Sequence, residues 1–580
     1  MHPFIPITKP QSLPHDWSLQ LRNTISIPSE ADLWHPTNRM TDEEWARNKA
    51  KLNLNTRALP FAVMHAFNRT PSSSSSLHGA HAPPLLEHTK PSAVFNHIYT
   101  ATFPSPEGED APFTVAIRVL GKLGRLPGRT ETTVALMTFA RYALGLSEVP
   151  KVYGWCDGDA TTGNPVNAPY IITEYFPYSP TLDCIKMWYH EAPSEEFWYE
   201  LTDAMAKAHT ELVKSVPFST GYGSVYFDSD RIESDSTTAE SSRREDDARL
   251  SDIKTYKLGP YMPGPMEFRV GWSERKVKPR PMIGSESIRT PSSTSLRSFW
   301  ELLWTNEVGA VKEYYRAKPG ALSQSGATID GGEGEGGSDA DSDDSNLDDI
   351  LRTVDHLLQY IKHVPLPDYP RLYTPSIVPN FYATRNVAIH SRTEPDSGSH
   401  QIQIKAYLDW DNTFILPFIL ASQYFHELTD GADEGTPHWN EIEGGFHCVQ
   451  AITDDGEPAN DEEMKQVFDH RRIVYLNRTK AQRNPDAEEQ EEGEWDSSDE
   501  AKERRERAII RRNRLFNAHF QREYERALQR HDTRFSIPGL WEARNDVLKI
   551  HFLVTGGMET WMDKADWIER RAREVVTGNL

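Results

Sequence analysis

The sequence predicts an α+β fold large enough to divide into two lobes. Residues 91–178 read as hairpin, helix, hairpin; amphipathic helices dominate from Glu195 onward; and near Asn386 one short strand turns into a second that ends in Asp-Trp-Asp. At 580 residues the chain can bury a sizeable core in more than one part.

Residues 1–60 are Pro-rich, with helical potential over 41–54, and a linker-like serine run, PSSSSS, follows. Taken together, residues 1–90 are expected to form an N-terminal extension packed in part on the main body. The segment 91–178 is expected to be a small β-rich unit. In it PSAVFNHIYTATFPS and APFTVAIRVLG flank the turn-rich PSPEGEDAP as a hairpin. Val134, Met137, Phe139, Ala140 and Leu144 then mark a helix, and VPKVYGWCDG with NAPYIITEYFPY makes a second hairpin.

Residues 179–430 are expected to be mainly helical, with disordered insertions near 229–256 and 320–345, where Ser, Gly and acidic residues crowd out apolar ones. Ser194 is placed as an N-cap, with Glu195 and Glu196 in the first turn and Phe197, Leu201, Met205, Ala208 and Leu212 as the buried stripe. Further helices are expected over 292–316 and over 346–363, the latter with Leu347, Ile350, Val354, Leu357 and Ile361 on one face. The apolar run FILPFILASQYFHEL after Asp411 reads as a core helix. Residues 431–580 read as a charged helical region with an acidic linker near 485–500.

Composition narrows the function classes. Lys and Arg number 63 against 86 Asp and Glu, a net charge of −23, which repels nucleic acid and anionic membrane, so neither is an expected partner. Three scattered cysteines form no disulfide framework or zinc set. With no signal-peptide core and no long apolar run, a cytoplasmic location is expected, the nucleus remaining open.

Ile402, Ile404, Ala406 and Leu408 alternate with polar residues as a half-buried strand does. The carboxylates of Asp409 and Asp411 therefore fall at a strand's carboxyl end, beside a strand led by Asn386. An amide and a carboxylate so arranged are how kinase-type folds hold the magnesium ions of ATP. Taken alone, an ordinary hairpin with polar ends explains the stretch better. On the strand TVAIRV, Ala116 and Arg118 share a face.

The ordered set of segments resembles the fungal branch of the aminoglycoside phosphotransferase and choline kinase-like family over roughly residues 91–430. The residues that carry it are VAIRV at 115–119, ETTVALMTFAR in the helix, EVPKVYGW at 148–155, YIITEYFPY at 170–178, GYGSVYF at 221–227, NVAIH at 386–390 and YLDWD at 407–411. The resemblance implies a two-lobed protein kinase-like fold, ATP and Mg2+ as cofactors, and an acceptor that is an unknown small molecule or protein. It implies nucleotide contacts from Ala116, Arg118, Glu174 and Tyr175, and metal ligation by Asp409 and Asn386.

Three departures from the family pattern matter. The loop at Pro91–Asn96, which should cover phosphate, has no glycine. The helix glutamate that would orient Arg118 falls at Thr133, and Glu131, two residues away, lies off that face. Phe381 stands where the catalytic Asp is expected and Pro379 where its His is expected. Phenylalanine accepts no proton, and a positioned base contributes ~10²–10⁴ in rate. No catalytic residue is assigned, and the implied function is a magnesium–nucleotide-binding family member impaired in transfer, a pseudokinase. Two alternatives remain: an active ATP-dependent kinase of a small-molecule hydroxyl whose base has moved to Asp368 or Asp411, and a nucleotide-independent interaction protein using the charged C-terminal helices.

Overall fold

The computed structural model describes residues 54–68, 84–90, 96–103, 113–120, 128–158, 164–176, 195–218, 221–228, 252–262, 295–317, 347–379, 382–393, 400–425, 428, 519–556, 561–562 and 564–578. Phe381, Ser194, the helix expected over 41–54, the insertion near 320–345 and the linker near 485–500 lie outside them.

The described residues include eleven strands and eight helices. The strands are β1 (Leu85–Lys90), β2 (Asn96–Phe103), β3 (Phe113–Leu120), β4 (Val152–Cys156), β5 (Tyr170–Glu174), β6 (Ser224–Phe227), β7 (Tyr256–Gly259), β8 (Pro375–Pro379), β9 (Val387–Thr393), β10 (His400–Tyr407) and β11 (Thr413–Pro417). The helices are α1 (Leu59–Asn68), α2 (Arg129–Thr138), α3 (Glu195–Leu212), α4 (Leu296–Ala317), α5 (Leu347–His363), α6 (519–531), α7 (Leu540–Gly556) and α8 (Ala565–Thr577). Among the described residues no helix is long and apolar enough to cross a membrane.

Five strands form one antiparallel sheet in the order β1-β2-β3-β5-β4. The sheet thus begins at Leu85, inside the segment read from sequence as an extension. Val115, Ile117 and Val119 alternate inward on β3 and meet Leu59, Ala62, Val63 and Ala66 of α1 on the sheet's back face. Gly154 on β4 lets that helix approach, since a Cβ there would lie 2.9 Å from the Ala66 Cβ. Gly154→Val is expected to destabilise by about 1–3 kcal/mol through overpacking, measured by urea unfolding.

The other face of the sheet carries α2. Its N-terminus is capped from a distance: the Asp157 carboxylate, in the loop after β4, accepts the backbone N–H groups of Gly128 (2.6 Å) and Thr130 (3.0 Å). Gly128 adopts φ 82°, a left-handed conformation that glycine takes without steric cost. Past Thr138 the helix widens into a π-type turn, Phe139–Ala143. A second, larger core joins α2 to α3, α4, α5, α7, α8 and the strands β6, β8 and β11, with Trp300, Trp410 and Trp561 fully buried in it.

Three further expectations are corrected. The run after Asp411 is not a helix: Thr413–Pro417 is a strand, all five residues buried, paired with Pro375–Pro379, and a 3-10 turn follows at Phe418–Ala421. Pro417 has no N–H for a helix and drives Leu416 to extended backbone, while a short apolar run fits a strand buried on both faces equally well. The alternation on β10 also breaks. Ile404 pairs with Ile389 and Ala406 with Ala388, leaving Lys405 unpaired as a bulge. Tyr407 consequently turns inward and Leu408 is only half-buried. Residues 252–256, the last of the insertion expected near 229–256, form a 3-10 turn and the start of β7.

Candidate functional site

Chain geometry brings Asn386 and Asp409 together. β9 and β10 are antiparallel, with Val387 opposite Tyr407, so the residue before one strand faces the residues after the other. The Leu408 N–H donates to the Asn386 carbonyl at 2.7 Å and clamps the two ends. The Asn386 amide then donates from Nδ2 to Asp409 Oδ2 at 3.3 Å, and Asn412 donates to the same oxygen at 3.1 Å. Thr413 Oγ1 donates to the Asp409 carbonyl at 3.1 Å, closing the turn from below. Trp410 points away, buried, its indole N–H on the Tyr407 carbonyl at 2.8 Å.

Two residues on, the Asp411 carboxylate is buried and reaches a different set of partners. Arg118 Nη2 donates to its Oδ1 at 3.0 Å as an ion pair, and Thr133 Oγ1 donates to the same oxygen at 3.1 Å. Strand β3, helix α2 and the turn after β10 are therefore tied at a single oxygen. Position 133, where the resemblance puts a glutamate for Arg118, holds a threonine, and the carboxylate comes from Asp411 instead.

Electrostatics distinguishes the two carboxylates. Burial, and then the negative charge of Asp411, push the Asp409 pKa from 3.8 up to about 6, against the opposing pull of Asn412 and Arg118. An acid held so close to a second carboxylate is relieved by a nearby positive charge, and a divalent cation supplies the most. Among the described residues no three His, Cys, Asp or Glu side chains stand at metal-binding spacing. One carboxylate with an amide beside it suits Mg2+, which keeps several water and phosphate oxygens rather than a full protein cage. A half-turn of the Asn386 amide presents its oxygen instead of its nitrogen to such an ion.

The remaining expected residues are placed as follows. Ala116 is half-buried on β3 between Thr100 and Thr173 of the flanking strands, on the Arg118 face. Glu174, at the end of β5, spends its carboxylate on the Lys151 N–H (3.2 Å) and on Arg141 Nη1 (3.5 Å). Tyr175 follows it, half-buried, and burial raises its hydroxyl pKa. Asp368 is exposed in the connection between α5 and the 3-10 turn Pro370–Tyr373. Asn412, and the joint hold of Arg118 and Thr133 on Asp411, were not foreseen, and Arg118 and Asp411 lie 293 residues apart with no local pattern linking them.

No protein-family model matches the chain, and no curated protein matches it. One solved structure that overlaps it is a provisionally assigned aminoglycoside phosphotransferase from Ralstonia eutropha JMP134. The TM-score is 0.29 at 15% identity, with 81% of this chain and 99% of that one covered. So loose a likeness leaves function to be read from the site itself.

Proposed function

We propose that the chain is a kinase-like protein of the aminoglycoside phosphotransferase type that binds a magnesium nucleotide and transfers phosphate poorly or not at all. The observation that carries this reading is the convergence on one turn of a carboxylate of raised pKa with two amides at its side, and of a guanidinium two residues away. Asp409 and Asn386 would hold Mg2+, which when bound supplies positive charge to phosphate oxygens. Arg118 would take a further phosphate oxygen, as a guanidinium does well. Ala116, small and on the same face, leaves room for a base above the sheet.

The impairment rests on sequence: Phe381 has no atom that accepts a proton, and the loop at 91–96 has no glycine to bring backbone close to phosphate. Of the carboxylates that could replace the base, Asp411 is engaged by Arg118 and Thr133, and Asp368 is exposed beside the 3-10 turn.

Purified protein with ATP and Mg2+ should show a saturable rise in melting temperature. The rise should need both components and vanish in Asp409→Ala, while phosphate release or transfer stays at background. A protein whose melting temperature ignores nucleotide with and without Mg2+ would instead be the interaction protein of the third alternative. Robust turnover that is lost in Asp409→Ala would make it an active kinase.

A further inference from the structure

We propose that Asp411 is a positioning residue for phosphate recognition, aiming the Arg118 guanidinium at the polyphosphate of a bound nucleotide; this rests on the nucleotide-binding reading above. The two carboxylates of the turn divide the work. Asp409 gives one oxygen to two amides, whereas Asp411 gives one oxygen to Arg118 Nη2 at 3.0 Å and Thr133 Oγ1 at 3.1 Å. The Arg118 side chain is 13% exposed and that of Asp411 2%, so the pair is held largely in the interior.

Arginine carries five N–H donors in a planar fork. Among the described residues Asp411 is the side chain that Arg118 hydrogen-bonds, and it takes one nitrogen, Nη2. The Nε and Nη1 donors remain in the same plane, which the contact to Asp411 orients. A free arginine would sample many rotamers and lose that freedom on meeting phosphate. One pinned by a buried carboxylate has lost it beforehand.

The pin is itself anchored. Thr133 sits on α2, whose first turn is held by Asp157 through Gly128 and Thr130. The three elements that meet at Asp411 Oδ1 thus set the arginine's direction relative to Asp409, the proposed cation ligand two residues away. A longer acidic side chain at 133 would reach the same guanidinium from the helix side, because the Thr133 hydroxyl already lies within hydrogen-bond distance of the oxygen that Arg118 holds.

The experiment is calorimetric titration of the full chain with Mg-ATP and, separately, with adenosine, for the unaltered protein, Asp411→Asn, Thr133→Val, and the double variant Asp411→Asn/Thr133→Glu, each checked by melting temperature. Asp411→Asn is expected to weaken ATP about ten- to a hundredfold and to leave adenosine within about threefold. Thr133→Val should give a smaller loss of the same kind, and the double variant should recover most of the ATP affinity. If Asp411→Asn fails to fold, Thr133→Val and the double variant still decide the matter. Equal losses of ATP and adenosine, or a double variant no better than Asp411→Asn, would make the contact purely structural and overturn the proposal. Unchanged ATP binding in Asp411→Asn overturns it while the nucleotide reading stands, whereas an unaltered protein that binds neither ligand overturns both.

Discussion

Asp409→Asn should make the protein more stable at pH 7.5 while removing its response to magnesium nucleotide. Burial and the Asp411 charge raise the folded-state pKa of Asp409 to about 6, from 3.8 in an unstrained chain. A group shifted upward in this way contributes stability through its protonated form; the contribution is complete below 3.8 and is lost as pH rises through about 6. At neutral pH the ionised carboxylate therefore costs on the order of 3 kcal/mol, less whatever solvent at the half-buried site screens. Asparagine keeps the shape and removes the charge. Its gain at pH 7.5 should be on the order of 1–3 kcal/mol, discounted because its own N–H groups face the amides of Asn386 and Asn412. At pH 3.5 to 4 the two proteins should have nearly equal stability. Thermal or urea unfolding at both pH values checks this, and a variant less stable than its parent at pH 7.5 would show that the carboxylate's partners already compensate its charge. A stability cost accepted at a specific carboxylate is what a ligand-binding residue would carry.

The legible parts of the fold were those with a local period. The inward alternation of Val115, Ile117 and Val119 and the helical spacing of Val134, Met137 and Phe139 are both set by residues a few positions apart, and both elements formed where expected. So did the neighbouring ends of β9 and β10, which bring Asn386 to Asp409. The bulge at Lys405 was hidden, because a single unpaired residue leaves composition unchanged while reversing every later side chain. Strand β11 was misread because its apolar run has no period at all, and only Pro417 within it argued against a helix. The Arg118–Asp411–Thr133 contact could not have been found by spacing. Its members come from a strand, a turn and a helix, and only the packing of α2 between the sheet and β6 makes them neighbours. Asp411 joins the sheet and α2 to the turn after β10.

Mild acid should destabilise the protein, chiefly through two buried histidines. His209 on α3 is fully enclosed: Nδ1 lies 2.6 Å from the Tyr524 hydroxyl, the ring stacks on Tyr382 at 4.6 Å, and Nε2 has no polar partner among the described residues. Burial depresses its pKa from 6.5 to about 3, and the same cause brings His551 on α7 to about 4. For a group shifted downward, the stability is fully present above 6.5 and is lost as pH falls towards the folded-state value. The shifts correspond to about 5 kcal/mol for His209 and about 3 kcal/mol for His551. Protonation of Asp409 returns about 3 kcal/mol over part of the same window, so the histidines win and stability should fall steeply between pH 6.5 and 4. Tyr382 connects this event to the site, since its hydroxyl donates to the Met205 carbonyl at 2.8 Å and it lies on the stretch leading from β8 to Asn386. His209→Asn keeps a polar atom near Nδ1 but cannot titrate. It should lower stability at pH 7.5 through lost packing, yet flatten the slope of unfolding free energy against pH by up to about 1.4 kcal/mol per unit. Urea unfolding in half-unit pH steps reads that slope, and a slope equal to the parent's would mean that His209 already takes up its proton in the folded state.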